Sequence, residues 1–158
     1  MQVILYRLYS AIYIDYCSLV WGSCAKENLA RITKLQKSAA RIILSEPTMT
    51  SSNILFQSLG WEEFSTRIHV KRMLMMFKAV NDLAPNYIID LFTRVADIHD
   101  RNTRSAANDN FYIARGNTEI YKKSFSYLAA NEWNKLPTEI KCATNLNSSK
   151  ANVLAMYS

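Results

Sequence analysis

The 158-residue chain has little of what breaks or staples a fold: three glycines, three prolines and three cysteines. So few breakers argue against a turn-rich all-β architecture and for helices. Cys17, Cys24 and Cys142 are odd in number, form no CxxC pair, and with His69 and His99 make no zinc-ligand spacing. Free thiols in a reducing compartment, with no metal and no cofactor, are the expectation. Acidic pairs are scarce as well. Glu62-Glu63 is the only adjacent pair, and it stands at a helix start, where acids suit the macrodipole. Two-metal nucleotidyl transfer needs closely placed carboxylates, normally an Asp-Asp pair on a hairpin. No catalytic residue is therefore assigned, and the chain is expected not to be an enzyme. Long apolar runs are missing too: Arg7 and Asp15 interrupt the apolar N-terminus and no basic stretch precedes it. That pattern argues against a signal peptide and a membrane span, and points to a soluble protein of the cytoplasm or nucleus.

What the chain does have is core-forming residues and positive charge. Hydrophobic residues make up 49% and charged residues 20%, enough to bury a core in a chain near the size of one domain. The net charge of +6 is uneven: residues 1–45 carry +4, residues 46–100 carry −2 and residues 101–158 carry +4. Two basic ends around a mildly acidic middle suit a polyanion contacted at two places.

Periodicity predicts a mainly α fold, an irregular helical bundle, with a basic helical part over 1–95, a loop or extended segment over 96–120 and a C-terminal helical part over 121–158. The three parts read as one fold unit. Residues 3–21 look helical, with Tyr6, Tyr9, Tyr13 and Tyr16 along one side as core or core rim. Gly22 and Ser23 read as a helix stop and a new N-cap. Over 26–44, Lys26, Arg31, Lys34, Lys37 and Arg41 fall within an arc of about 140° at about 100° per residue. Leu29, Ile32, Leu35, Ala39, Ile42 and Ile43 fall on the other side as the core face. A solvated neutral face usually mixes signs; five cations against few acids point to phosphates. Further helices are expected at 53–59, at 62–82 (apolar almost all round, with a narrow stripe of Arg67, Lys71 and Lys78), at 87–94, at 121–134 and in the tail from Asn147. Phe111 to Ala114 reads as a short strand or an extended arm.

The motifs, taken in order, resemble the region that follows the polymerase palm in non-LTR (LINE-type, jockey-like) retrotransposon reverse transcriptases. They are Tyr16-Cys17-Ser18-Leu19-Val20-Trp21-Gly22, Leu35-Gln36-Lys37 through Arg41-Ile42-Ile43, Leu59-Gly60-Trp61, and Phe77-Lys78 through Leu83-Ala84-Pro85-Asn86-Tyr87. Thr103-Arg104-Ser105, Lys123-Ser124-Phe125-Ser126-Tyr127 and Trp133-Asn134-Lys135-Leu136-Pro137 with Ile140-Lys141 follow. The chain departs from the pattern at Ile12, where the family often has proline, and at Ser149-Lys150, where it usually has Phe-Lys. The resemblance implies a non-catalytic thumb or post-thumb fragment of a longer polyprotein, an RNA-directed DNA polymerase, that supports template–primer or element RNA binding. Its implied partners are the RNA or DNA backbone and the upstream palm. On that reading Lys26, Arg31, Lys34, Lys37 and Arg41 contact phosphates, joined by Arg67 and Lys71. The competing reading is a small helical module that docks on a protein partner without binding nucleic acid.

Overall fold

The computed structural model describes residues 14–98, 108–142 and 145–156. The tyrosine stripe at Tyr6, Tyr9 and Tyr13 and the Thr103-Arg104-Ser105 motif lie outside them. The described residues are mainly helical: α1 (Ser18–Trp21), α2 (Lys26–Leu44), α3 (Ser52–Leu59), α4 (Phe64–Val80), α5 (Asn86–Ile89), α6 (Val95–Ile98), α7 (Glu119–Lys122), α8 (Phe125–Lys135), α9 (Thr138–Lys141) and α10 (Leu146–Ala155). No strand occurs among them, and Phe111 makes only an isolated antiparallel bridge to Arg94. Packing divides the chain into Met1–Ile68 and His69–Ser158. The division falls inside α4, whereas the sequence pattern draws its boundary at residue 95, where helical periodicity gives way to turn residues.

In the first unit the helix expected over 3–21 falls largely outside the described residues, and within them it is interrupted just before α1. Cys17, just before it, takes a left-handed backbone (φ 48°), which no α-helix of L-residues continues through. Gly22 closes α1, and a Cβ there would meet the Ser18 carbonyl oxygen at 2.3 Å and the Ile68 side chain at 2.8 Å. Only glycine lets this corner approach α4. Ala25, not Ser23, occupies the N-cap of α2; the Ser23 hydroxyl donates back to the Val20 carbonyl instead. The helix α3 ends at Gly60 (φ 60°), where the Trp61 amide reaches the Phe56 carbonyl at 2.8 Å. This is the left-handed helix stop that glycine adopts without a Cβ penalty. Ala40, Leu55 and Phe56 form the local core, with Leu44, Leu59 and Trp61 packed around them.

In the second unit the rest of α4 supplies Val70, Met73, Met76 and Phe77 to a core completed by Phe111, Ala129, Ala130, Trp133, Leu136 and Val153. Methionine fills irregular space here, as its flexible, unbranched side chain allows. Between Phe111 and α8, Asn134 acts as a two-way clip. Its Nδ2 donates to the Phe111 carbonyl at 2.8 Å and its Oδ1 accepts from the Phe111 amide at 2.8 Å. The extended arm is thus held by this side chain and by backbone bonds of the isolated bridge, from the Val95 amide to the Asn110 carbonyl at 2.9 Å and from the Tyr112 amide to the Thr93 carbonyl at 2.8 Å.

Candidate nucleic-acid interface

The helix α2 spans Lys26–Leu44, so at about 1.5 Å per residue its cations from Lys26 to Arg41 extend over about 22 Å. Lys26, Arg31 and Lys34 are exposed, and Lys37 and Arg41 are half-buried. Among the described residues none of the five forms a salt bridge. Arg41 is partly committed, since its guanidinium donates to the Thr50 carbonyl at 3.4 Å. That bond steadies the loop after α2, whose Thr50 hydroxyl in turn reaches Glu46 at 3.0 Å.

The buried side of α2 is not the side that the apolar pattern indicates. Gln36 and Ala40 are buried, while Leu35 and Ile42 are 66% and 69% exposed. The core face is therefore rotated by roughly 70° around the helix axis from the expected one. The cause is Gln36. Its Nε2 donates to the Glu62 carbonyl at 2.8 Å, and its Oε1 accepts from the Phe64 amide at 3.1 Å. A helix leaves its first amides without partners in its own ladder, and here a buried glutamine from another helix satisfies the first amide of α4. A pattern that counts glutamine as a surface residue misses this anchor. The rotation leaves α2 with three sectors: buried Gln36 and Ala40; a cationic sector of Lys26, Lys37, Arg41 and Lys34; and an exposed apolar sector of Leu35 and Ile42, with Arg31 at its edge.

The two remaining expected cations lie elsewhere. Arg67 pairs with Asp15 at 3.3 Å and its guanidinium sits 5.6 Å from the centre of the Phe64 ring. Phe64 stacks on Trp21 with centroids 5.3 Å apart and ring planes 13° from parallel, and the Trp21 indole donates to the Tyr16 carbonyl at 2.7 Å. Arg67 thus closes an internal stack and pairs with Asp15, unlike the α2 cations, none of which has a carboxylate partner among the described residues. Lys71 is half-buried on α4 in the second unit.

Several charged groups are engaged in ways that sequence patterning does not mark. Arg72 is buried and pairs with Glu132 of α8, and His69 Nδ1 lies 3.1 Å from the same carboxylate. Arg72 is hidden by its apolar neighbours on α4; its four-residue offset from Ile68 and Met76, both buried, is the available signal. Lys141 is also buried, its ammonium donating to the Asn108 carbonyl at 3.0 Å and to Asn110 Oδ1 at 2.7 Å. Burial pushes its pKa below the ordinary lysine value, with Asp109 and Cys142 pulling the other way.

Among the described residues no group of three or more His, Cys, Asp or Glu side chains could hold a metal ion. No described helix is long and apolar enough to cross a membrane. A cavity of about 160 Å³ in the second unit is walled by Val80, Ile89, Phe92 and Phe111, with Asp82, Arg94 and Asp97 beside it. Arg94 is engaged there by the Val80 carbonyl at 3.3 Å and by Asp109 at 3.5 Å. No family model, no curated protein and no solved structure matches the chain.

Proposed function

We propose that the chain is a non-catalytic nucleic-acid-binding segment that holds RNA or DNA by its phosphate backbone, as the resembled reverse-transcriptase thumb region would. The observation that carries this reading is the cationic sector of α2 with Arg31 beside it: these five basic side chains along one helix have no carboxylate partner among the described residues. At a rise of about 3.4 Å per nucleotide, a 22 Å row spans roughly six phosphates of one strand. Contacts of this kind position a strand without reading its sequence. The upstream palm would supply the chemistry.

Lys26, Lys34 and Lys37 make no side-chain hydrogen bond among the described residues, so replacing them tests the surface and leaves the fold intact. In Lys26→Gln/Lys34→Gln/Lys37→Gln, affinity for a 20-nucleotide single-stranded RNA should fall. The slope of log K against log salt should become shallower by about 2, because each phosphate neutralised on a single strand contributes about 0.7 to it. A titration by fluorescence anisotropy over several salt concentrations measures both. If affinity and slope stay at the parent values, α2 is a solvated scaffold helix.

A further inference from the structure

The exposed apolar sector of α2 is unexplained by phosphate binding. Leu35 and Ile42 stand seven residues, two helical turns, apart on one side of the helix and are 66% and 69% exposed. Their border is cationic: Arg31 lies between them and Lys34 on the wheel, and both basic residues are exposed. Two such strips would repel each other, so α2 does not pair with its own copy.

A surface of opposite character occurs in the second unit. Leu83, Tyr87 and Leu91 recur every four residues and are 65%, 71% and 50% exposed. Ala84, Ile88 and Ile89 between them, and Phe92 just after, are half-buried. Helix α5 covers Asn86–Ile89, and turn bonds carry the chain on from its end, Asp90 to Asn86, Leu91 to Ile88 and Phe92 to Ile89. Tyr87 and Leu91 are thus about one turn apart along this helix and the turn that follows it. Asp82 and Asp90 are exposed at its edge, and no lysine or arginine occurs from residue 79 to 93. Near this ridge opens the 160 Å³ cavity, lined by Val80, Ile89, Phe92 and Phe111 together with Asp82, Asp97 and Arg94, the last engaged by the Val80 carbonyl and by Asp109. An engineered apolar cavity of about 150 Å³ holds benzene, so this one is large enough for a single branched aliphatic side chain.

From this complementarity we infer that the acid-edged ridge Leu83–Tyr87–Leu91 docks the cation-edged strip Leu35–Ile42 of a second copy of the chain. An aliphatic side chain of the strip enters the cavity, and Arg31 and Lys34 face Asp82 and Asp90. The contact is heterologous: the two surfaces differ, so each copy offers one of each and association continues head to tail unless it closes into a ring. This inference goes beyond nucleic-acid binding: it shares Arg31 and Lys34 with the phosphate-facing set, but its apolar contacts, Leu35 and Ile42, lie about 120° around α2 from Lys37 and Arg41.

The test is sedimentation velocity on the full chain, freed of nucleic acid by nuclease, over a range of protein and salt concentrations. Weight-average mass should rise with protein concentration, and the rise should weaken as salt is added. Two variants each remove one surface. Asp82→Asn/Asp90→Lys alters the ridge; asparagine is used at Asp82 because its φ of 55° is a left-handed conformation that Asn tolerates and Lys does not. Leu35→Ser/Ile42→Ser alters the strip at two solvent-facing positions. Each variant alone should stay monomeric with parent circular dichroism. Mixed, they should form a dimer of one copy of each and nothing larger, since only one competent ridge meets one competent strip. A parent chain that stays monomeric throughout, variants that still associate, or a mixture that forms no one-to-one dimer would overturn the proposal. Both variants keep Lys26, Lys37 and Arg41, so their affinity for a 20-nucleotide RNA, read at dilute protein, reports on nucleic-acid binding separately.

Discussion

At the scale of single residues, the motifs that carry the family resemblance are mostly joints of the fold. Trp21 stacks on Phe64, Gly22 lets α1 approach Ile68, and Gln36 holds the first amide of α4. In the Trp133-Asn134 pair, the indole donates to the Asp109 carbonyl at 3.4 Å and the asparagine clips Phe111. Lys141, at the end of that motif, ties α9 to the loop before Phe111 through Asn108 and Asn110. A buried ammonium without a carboxylate bonded to it is costly, yet removing it strands its acceptors. Lys141→Met should destabilise the chain by about 1–3 kcal/mol, the cost of leaving buried acceptors unsatisfied. The pH dependence has a definite sign. Burial lowers the folded pKa of Lys141 below its ordinary value, so between those two values the unfolded chain binds more protons and folded stability rises with pH. The stability gap between parent and Lys141→Met, measured by urea unfolding, should widen from neutral pH toward the ordinary lysine pKa. A gap that narrows or stays constant would show that the ammonium is not buried in solution.

At the scale of elements, the regular helices were legible and their facing was not. The spacing of apolar residues located α2, α3, the middle of α4 and α8 to within a few residues, because a 3.6-residue period survives whatever the helix packs on. The orientation of α2 depends on a glutamine hydrogen-bonding another helix's end, and no periodicity records that. Likewise α4 reads as apolar almost all round, but it buries Arg72 against Glu132 of α8. Such a pair takes two ions out of water, and its attraction roughly offsets that penalty, whereas removing one partner leaves a buried charge alone. Arg72→Met should therefore cost about 3–5 kcal/mol. The double variant Arg72→Met/Glu132→Leu should recover much of the loss, with a coupling energy that a double-mutant cycle in urea measures. Additive losses would mean that the two side chains act independently. The candidate site was legible in part for the same reason. Lys26, Arg31, Lys34 and Lys37 follow from local spacing alone, while the diversion of Arg67 to Asp15 requires a contact 52 residues apart in sequence.

At the scale of the whole molecule, helical periodicity gives way to turn residues near residue 95, while packing divides the chain at Ile68–His69, within one helix. Periodicity responds to local spacing along the chain; packing responds to which side chains share a core. The cluster around Ala40, Leu55 and Phe56 and the larger one around Met73, Phe77 and Trp133 have no residue in common. Separate cores of this kind are expected to open separately, and local opening sets amide protection. Leu55 is fully buried in the smaller cluster, and Leu55→Ala should cost about 2–5 kcal/mol through reduced burial and the cavity left behind. That cost belongs to the first core alone. In native-state hydrogen exchange on this variant, amides of α2 and α3 should lose protection, whereas those of α8 and α10 should keep parental rates. An equal fall in all four helices would mean that the two cores melt as one cooperative unit.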